Sequence, residues 1–235
     1  MRHNVLDLFC GCGGLSLGFK LAGYNIIGGV DVNKDAIETF NTNFEGAKGV
    51  CFNLLEMDSD LITQEFGDLK KIDVIIGGPP CQGFSSANRY KREEEDERNK
   101  LFFEFVKFVD LAQPKAVVIE NVRGIITSNN GYAKDRIYEI FEERGYKVTH
   151  KILDASDYGV PQKRLRNFFV ITKGNEFDFE KMTKTKDIVT VKEALSELYH
   201  FDKGLINKEG VYSLETTPNT DYLKYLRNNE NIIYN

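Results

Sequence analysis

The sequence predicts an α/β fold built on a doubly wound, mostly parallel sheet. Two observations carry that expectation. Short β-branched, apolar runs alternate with segments of helical period over roughly the first 170 of 235 residues. Each apolar run also ends in a glycine- or asparagine-rich turn, the punctuation expected between strand and helix.

The elements follow in order. Val5-Leu6-Asp7-Leu8-Phe9 reads as a buried strand, and a glycine turn leads from it into a helix over 14–22. A second strand is expected over 25–30 and a helix over 34–44. Residues 72–76 and 116–119 read as two further strands, with helical segments over 101–111 and 132–144. Residues 147–153 and 167–172 look like a closing pair of strands. The pattern weakens after Gly174: 191–198 suits one short helix, and 203–235 is polar with few periodic apolar positions. The expected organisation is therefore a domain over 1–174 and a C-terminal extension over 175–235.

Composition narrows the function classes. Hydrophobic residues make up 41% of the chain, so a sizeable core can form. The formal net charge is −5, which does not suggest a nucleic-acid binder as a whole. DNA contact would have to be local and basic, or supplied by another domain or chain. Cysteines at 10, 12, 51 and 81 are irregularly spaced in a chain too large to need disulfide staples, so reduced thiols are expected. Cys10-x-Cys12 lacks the second ligand pair that zinc would want, so no metal site is expected. The chain runs from Met-Arg-His-Asn straight into a strand, and no apolar run approaches a bilayer's span of about 20 residues. A soluble, cytoplasmic protein without a membrane partner is the expectation.

In a doubly wound sheet, ligands sit beyond the carboxyl ends of the strands. The first strand ends in Asp7-Leu8-Phe9-Cys10-Gly11-Cys12-Gly13-Gly14, whose glycines permit a tight turn and let backbone N–H groups meet a ligand at a helix N-terminus. The second strand leads to Asp31, whose carboxylate can accept from ribose hydroxyls. Taken alone, loop and acid mean a nucleoside-containing cofactor or no more than turn chemistry. The spacing departs from Gly-x-Gly-x-x-Gly, which weighs against NAD.

The fourth strand runs into Gly77-Gly78-Pro79-Pro80-Cys81-Gln82-Gly83-Phe84-Ser85-Ser86. A cysteine after two prolines, in a loop at the carboxyl edge of a sheet, suits a reactive thiolate, although a lone cysteine in a turn is commonly inert. Here the segment resembles the nucleophile motif of DNA (cytosine-5) methyltransferases. The other hallmarks follow in that family's order: Asp7–Gly14, Cys81, Glu120-Asn121-Val122, then Gln162-Lys163-Arg164-Leu165-Arg166. The resemblance covers roughly residues 4–172 and continues weakly to the end.

The resemblance implies a Rossmann-like, S-adenosylmethionine-dependent methyltransferase fold. It also implies methylation of carbon 5 of a cytosine in double-stranded DNA, in a restriction-modification system, with S-adenosyl-L-homocysteine as product. Cys81 would attack carbon 6, Glu120 would stabilise N3, and Arg166 would reach O2 and orient base and thiolate. Arg164 would support Glu120 or a DNA phosphate. The cofactor pocket would include Phe9, Gly11, Gly13, Gly14, Leu15, Asp31, Val32, Pro80 and Leu101. Where the family usually places an Asp near the adenine amino group, this sequence has Asn53 followed by Leu54, with Asp58 the fallback. The base must be flipped out of the duplex, and 85–100, with Asn88-Arg89-Tyr90-Lys91-Arg92, suits a loop that closes over it.

Family members usually continue into a basic recognition domain and return with an Asn-containing motif; neither is found here. The expectation is a split-enzyme subunit or a truncated chain, with a second polypeptide carrying the recognition domain. In use the protein would associate with the nucleoid of a bacterial or phage-infected cell. Three alternatives stand beside this reading: a tRNA cytosine-5 methyltransferase, a non-catalytic partner subunit that keeps the fold, and, more distantly, an NAD-dependent oxidoreductase. Intact Cys81, Glu120 and Arg166 weigh against the second, and the third leaves Cys81 without a task.

Overall fold

The computed structural model describes residues 2–57, 59–80, 97–186, 188–196, 211–213, 222–224 and 232–234. The chain divides into two compact units, one of residues 1–152 and 166–182, the other of 153–165 and 183–235. The first unit runs β1 (Asn4–Leu8), α1 (Gly14–Leu21), β2 (Asn25–Asp31), α2 (Lys34–Asn43), β3 (Lys48–Cys51), α3 (Ser59–Phe66), β4 (Val74–Gly77), α4 (Glu97–Ala112), β5 (Ala116–Val122) and α5 (Tyr132–Glu142). Strands β6 (Lys147–Asp154) and β7 (Leu165–Thr172) follow.

The seven strands are ordered β3-β2-β1-β4-β5-β7-β6. Strands β1 to β5 pair in parallel, and β7 runs antiparallel to β5. The chain steps from β1 through β2 to β3, then returns to the other flank of β1 as β4. That reversal puts the topological switch point at the carboxyl ends of β1 and β4, where open α/β sheets bind ligands. The expected doubly wound, mostly parallel sheet is the one observed.

Both faces of the sheet are covered, so its strands read as apolar runs rather than alternating ones. One face packs Leu6, Leu8, Ile75, Ile119 and Phe169 against Phe102, Phe105 and Phe108 of α4. The other packs Val5, Ile26, Val74 and Ile76 against Ile37 and Phe40 of α2, together with Phe44. Gly77 is required where β4 crosses the end of β1, because a Cβ there would lie 2.1 Å from the Leu8 carbonyl oxygen.

Five elements differ from the sequence expectation. β5 does not end at Ile119 but continues through Glu120 and Asn121 to Val122, and β7 begins at Leu165 rather than Asn167. The antiparallel ladder explains both, since pairing continues through Glu120↔Phe168 and Asn121↔Asn167 to Val122↔Arg166. α4 starts at Glu97, so the last turn of the supposed loop is helical. β3 and α3 were not singled out by the pattern; β3 is four residues long with no fully buried side chain.

In the second unit, α6 (Val191–Ala194) is shorter than the expected helix and opens on a capping box of Thr190 with Glu193. β8 (Val211–Ser213) pairs antiparallel with β9 (Ile232–Tyr234) in a stretch that reads as patternless in sequence. Among the described residues, no helix is long and apolar enough to cross a membrane.

Candidate functional site at the carboxyl ends of β1, β2, β4 and β5

The loop after β1 is shaped by backbone conformation. Phe9 and Gly11 take positive φ, 64° and 53°, and Gly13 takes 92°. A Cβ on Gly13 would meet the Phe44 ring at 2.3 Å, so only glycine fits there. Gly11 and Gly14 instead face open space among the described residues, with no tertiary neighbour within 4 Å of a Cβ position. The loop is tied down by Cys10 N–H donating to the Val30 carbonyl at 3.1 Å and Gly13 N–H to the Cys10 carbonyl at 2.9 Å.

Asp31, at the end of β2, is the second support. One carboxylate oxygen accepts from Gly11 N–H at 2.8 Å, the other from Asn33 N–H at 2.9 Å. The strand-end acid therefore braces the glycine loop, and each oxygen keeps a lone pair for a further donor. Beside it, Val32 is 72% exposed, an apolar side chain open to a flat apolar ligand face.

The α1 N-terminus opens on this loop. The helical ladder starts with Leu17 N–H to the Gly13 carbonyl at 2.8 Å, and among the described residues Gly14 and Leu15 N–H make no hydrogen bond. These are donors of the kind that bind anions at a helix N-terminus. Beneath them lies Asp7, 1% exposed, accepting from the Ser16 hydroxyl at 2.6 Å. Burial pushes the Asp7 carboxyl up to about 7, against the lowering effect of the Ser16 bonds. Burial likewise pushes the Cys10 thiol up, which keeps it inert.

Asn53 sits just past β3; its carbonyl oxygen accepts from Leu55 N–H at 3.2 Å and its amide donates to Glu56 at 2.9 Å. Leu54, only 3% exposed, packs into the core and turns its side chain away from solvent. Leu101, in α4, packs half-buried against the same core. Cys81, Asp58 and the basic-aromatic stretch 88–92 lie outside the described residues.

At the carboxyl end of β5, Arg166 Nε donates to a Glu120 oxygen at 2.9 Å, both side chains about a quarter exposed. Register explains the meeting: Arg166 pairs with Val122 and projects on the same face as Glu120, one diagonal step along the ladder. Gly78 is close by, since a Cβ on it would lie 3.4 Å from a Glu120 oxygen. Asn121, on the opposite face, donates from its amide to the Pro79 carbonyl at 2.9 Å. The segment Gly78-Pro79-Pro80 is thus held against Glu120 and Asn121, with Pro80 half-buried and Cys81 next in sequence. Arg164 belongs to the second unit, where its backbone N–H donates to Asp154 at 3.1 Å.

Two residues escaped the sequence reading. Asp7 and Asn121 stood inside recognised motifs but had no role, and a buried acid in mid-strand was the only signal.

A family model for C-5 cytosine-specific DNA methylase matches residues 3–235. The type II methyltransferase M.DdeI of Desulfomicrobium norvegicum is 39% identical over 99% of this chain and 56% of its own length. The type II methyltransferase M1.HphI of Haemophilus parahaemolyticus is 42% identical over 86% of the chain and 54% of its own. The chain spans about half the length of these curated relatives. A prophage-encoded E. coli protein, described with its crystal structure as a DNA modification methyltransferase, matches with TM-score 0.79 and 30% identity over 99% of this chain and 70% of that one. The S. pombe Dnmt2 methyltransferase matches in fold alone, at TM-score 0.63 and 19% identity over 83% of this chain and 59% of that one.

Proposed function

The chain belongs to the C-5 cytosine-specific DNA methylase family, and from that premise we propose that it methylates carbon 5 of a flipped cytosine in double-stranded DNA, using S-adenosyl-L-methionine. The observation that carries this reading is the Glu120–Arg166 pair with Gly78 packed beside it, because it sets an acid and a guanidinium next to the segment that leads into Cys81.

The residues at the β1 and β2 ends fit the methyl donor. Gly11 and Gly14 leave open space, and Gly14 and Leu15 N–H suit a carboxylate. Asp31 suits ribose hydroxyls, and exposed Val32 and the Asn53 carbonyl suit an adenine face and its amino group. Phe9, Gly13, Pro80 and Leu101 complete the proposed surroundings; Leu54 would contribute through its backbone. When bound, the donor supplies an electrophilic methyl group.

The protein's own residues prepare the acceptor. The Cys81 thiolate adds to carbon 6, and the ring electrons move toward N3, where Glu120 holds a proton against the developing charge. Arg166 orients Glu120 and donates to O2. Carbon 5 takes the methyl group as S-adenosyl-L-homocysteine is left behind, then gives its proton to a water-borne base. The electrons of that C–H bond re-form the ring double bond as the C–S bond breaks to release thiolate and 5-methylcytosine. Arg164 and Lys163, exposed in the loop before β7, suit DNA phosphates. This reading uses no second polypeptide, for which the relatives named above give no support. As in type II systems, the setting would be restriction-modification in a bacterial cytoplasm, at the nucleoid.

The test is Cys81→Ser, with methyl transfer and cofactor affinity measured on one preparation. Transfer should vanish while affinity stays near normal, because the thiol meets cytosine and not the donor. Near-normal transfer would overturn the mechanism.

A further inference from the structure

Asp7 has no part in the mechanism above, yet its placement ties it to the cofactor end. It lies on β1 between Gly29 of β2 and Ile76 of β4 in the sheet register, 1% exposed. Its carboxyl accepts from the Ser16 hydroxyl at 2.6 Å. Ser16 is the third residue of α1, which has no side-chain cap of its own. Asp7 therefore holds the third residue of α1 by its hydroxyl from across the fold, beside the Gly14 and Leu15 N–H groups that a ligand would meet. Among the described residues, the groups facing Asp7 are Ser16 from α1, Asp31 from β2 and Cys10 from the loop, while β4 presents Ile76 and Gly77; none of these is basic.

We propose that Asp7 is a positioning residue that carries a proton when the methyl donor binds, so that the α1 N-terminus meets one carboxylate, the ligand's, rather than two. This rests on the proposed cofactor reading. An ionised Asp7 would share the positive end of α1 with the ligand's carboxylate and repel it. Ligand binding must then favour the protonated form, and linkage requires proton uptake on binding. Burial, which holds the carboxyl near neutrality, puts that uptake at working pH.

The probe is S-adenosyl-L-homocysteine, titrated by calorimetry at pH 6 to 8.5 in buffers of different ionisation enthalpy, with Asp7→Asn measured alongside. The Asn variant keeps an acceptor for the Ser16 hydroxyl and loses the titrating group. Wild-type affinity should fall about three- to tenfold across the range, relative to the variant, with proton uptake that the variant lacks. Ser16→Ala, which removes a bond that lowers the Asp7 pKa, should move the inflection to higher pH; a merely structural hydroxyl would not move it. Superposable pH profiles for wild type and Asp7→Asn would overturn this inference alone. Absence of binding by all three proteins would overturn the cofactor reading and this inference with it.

Discussion

The Asn121 side chain, buried at the end of β5, donates from its amide to the Pro79 carbonyl at 2.9 Å and accepts from Val122 N–H at 2.9 Å. Two strand ends separated by 42 residues are joined by this one side chain, just before Pro80 and Cys81. Asn121→Ala removes a buried bond across the sheet and should lower stability by about 1–3 kcal/mol. Denaturant unfolding reads that cost. Alkylation of Cys81, timed against exposed Cys12 and Cys51 by mass spectrometry, should change at the same time. Unchanged stability and an unchanged Cys81 rate would mean that the Pro79 segment is held by other contacts.

Asp31 has two tasks in this fold, bracing Gly11 N–H and Asn33 N–H and, in the proposed reading, accepting from a ribose. Asp31→Ala should therefore weaken S-adenosyl-L-homocysteine binding by roughly 1–3 kcal/mol. Calorimetry showing full affinity would reduce Asp31 to a loop brace.

Two glycines should respond to alanine with opposite signs. A Cβ on Gly77 would lie 2.1 Å from the Leu8 carbonyl oxygen, so β1 and β4 would have to part; the expected cost is roughly 2–4 kcal/mol. Gly18 lies inside α1 with no tertiary neighbour among the described residues within 4 Å of its Cβ position, and Gly18→Ala should stabilise by about 0.5–1 kcal/mol. Thermal melts of both variants decide the matter, and equal shifts would contradict the close packing of β1 on β4.

The elements best anticipated from sequence were β1, α1 and β2, because a continuous buried run followed by glycines leaves few other readings. The site was less evident where polar residues sit inside strands. Glu120, Asn121 and Arg166 look like turn residues, yet the β5–β7 ladder pairs their backbones to the end. That ladder, a contact between segments far apart in sequence, is what brings Glu120 and Arg166 together while leaving Arg164 in the other unit. Asp7 was hidden for a related reason. A lone acid in an apolar strand shows its purpose only when the helix that supplies Ser16 folds over it.

A duplex with 5-fluorocytosine at the target position should form a lasting adduct, because fluorine at carbon 5 cannot leave as a proton does and the C–S bond then stays closed. Peptide mapping should find the modification on Cys81. Cys10 is buried and its thiol is pushed up by burial, so it should stay unmodified, and Cys12 and Cys51 are exposed but have no acid–guanidinium pair described beside them. The Glu120–Arg166 pair should govern how fast the adduct forms. Glu120→Gln keeps the size and loses the acid, so adduct formation should slow by roughly 10²–10⁴-fold while cofactor affinity holds. Arg166→Lys keeps the charge but loses the planar fork that can meet Glu120 and a base oxygen together, and should slow it less than Arg166→Ala. An adduct mapped to Cys10, Cys12 or Cys51, or equal rates across the three variants and the wild type, would remove the basis for assigning Cys81, Glu120 and Arg166 to one site.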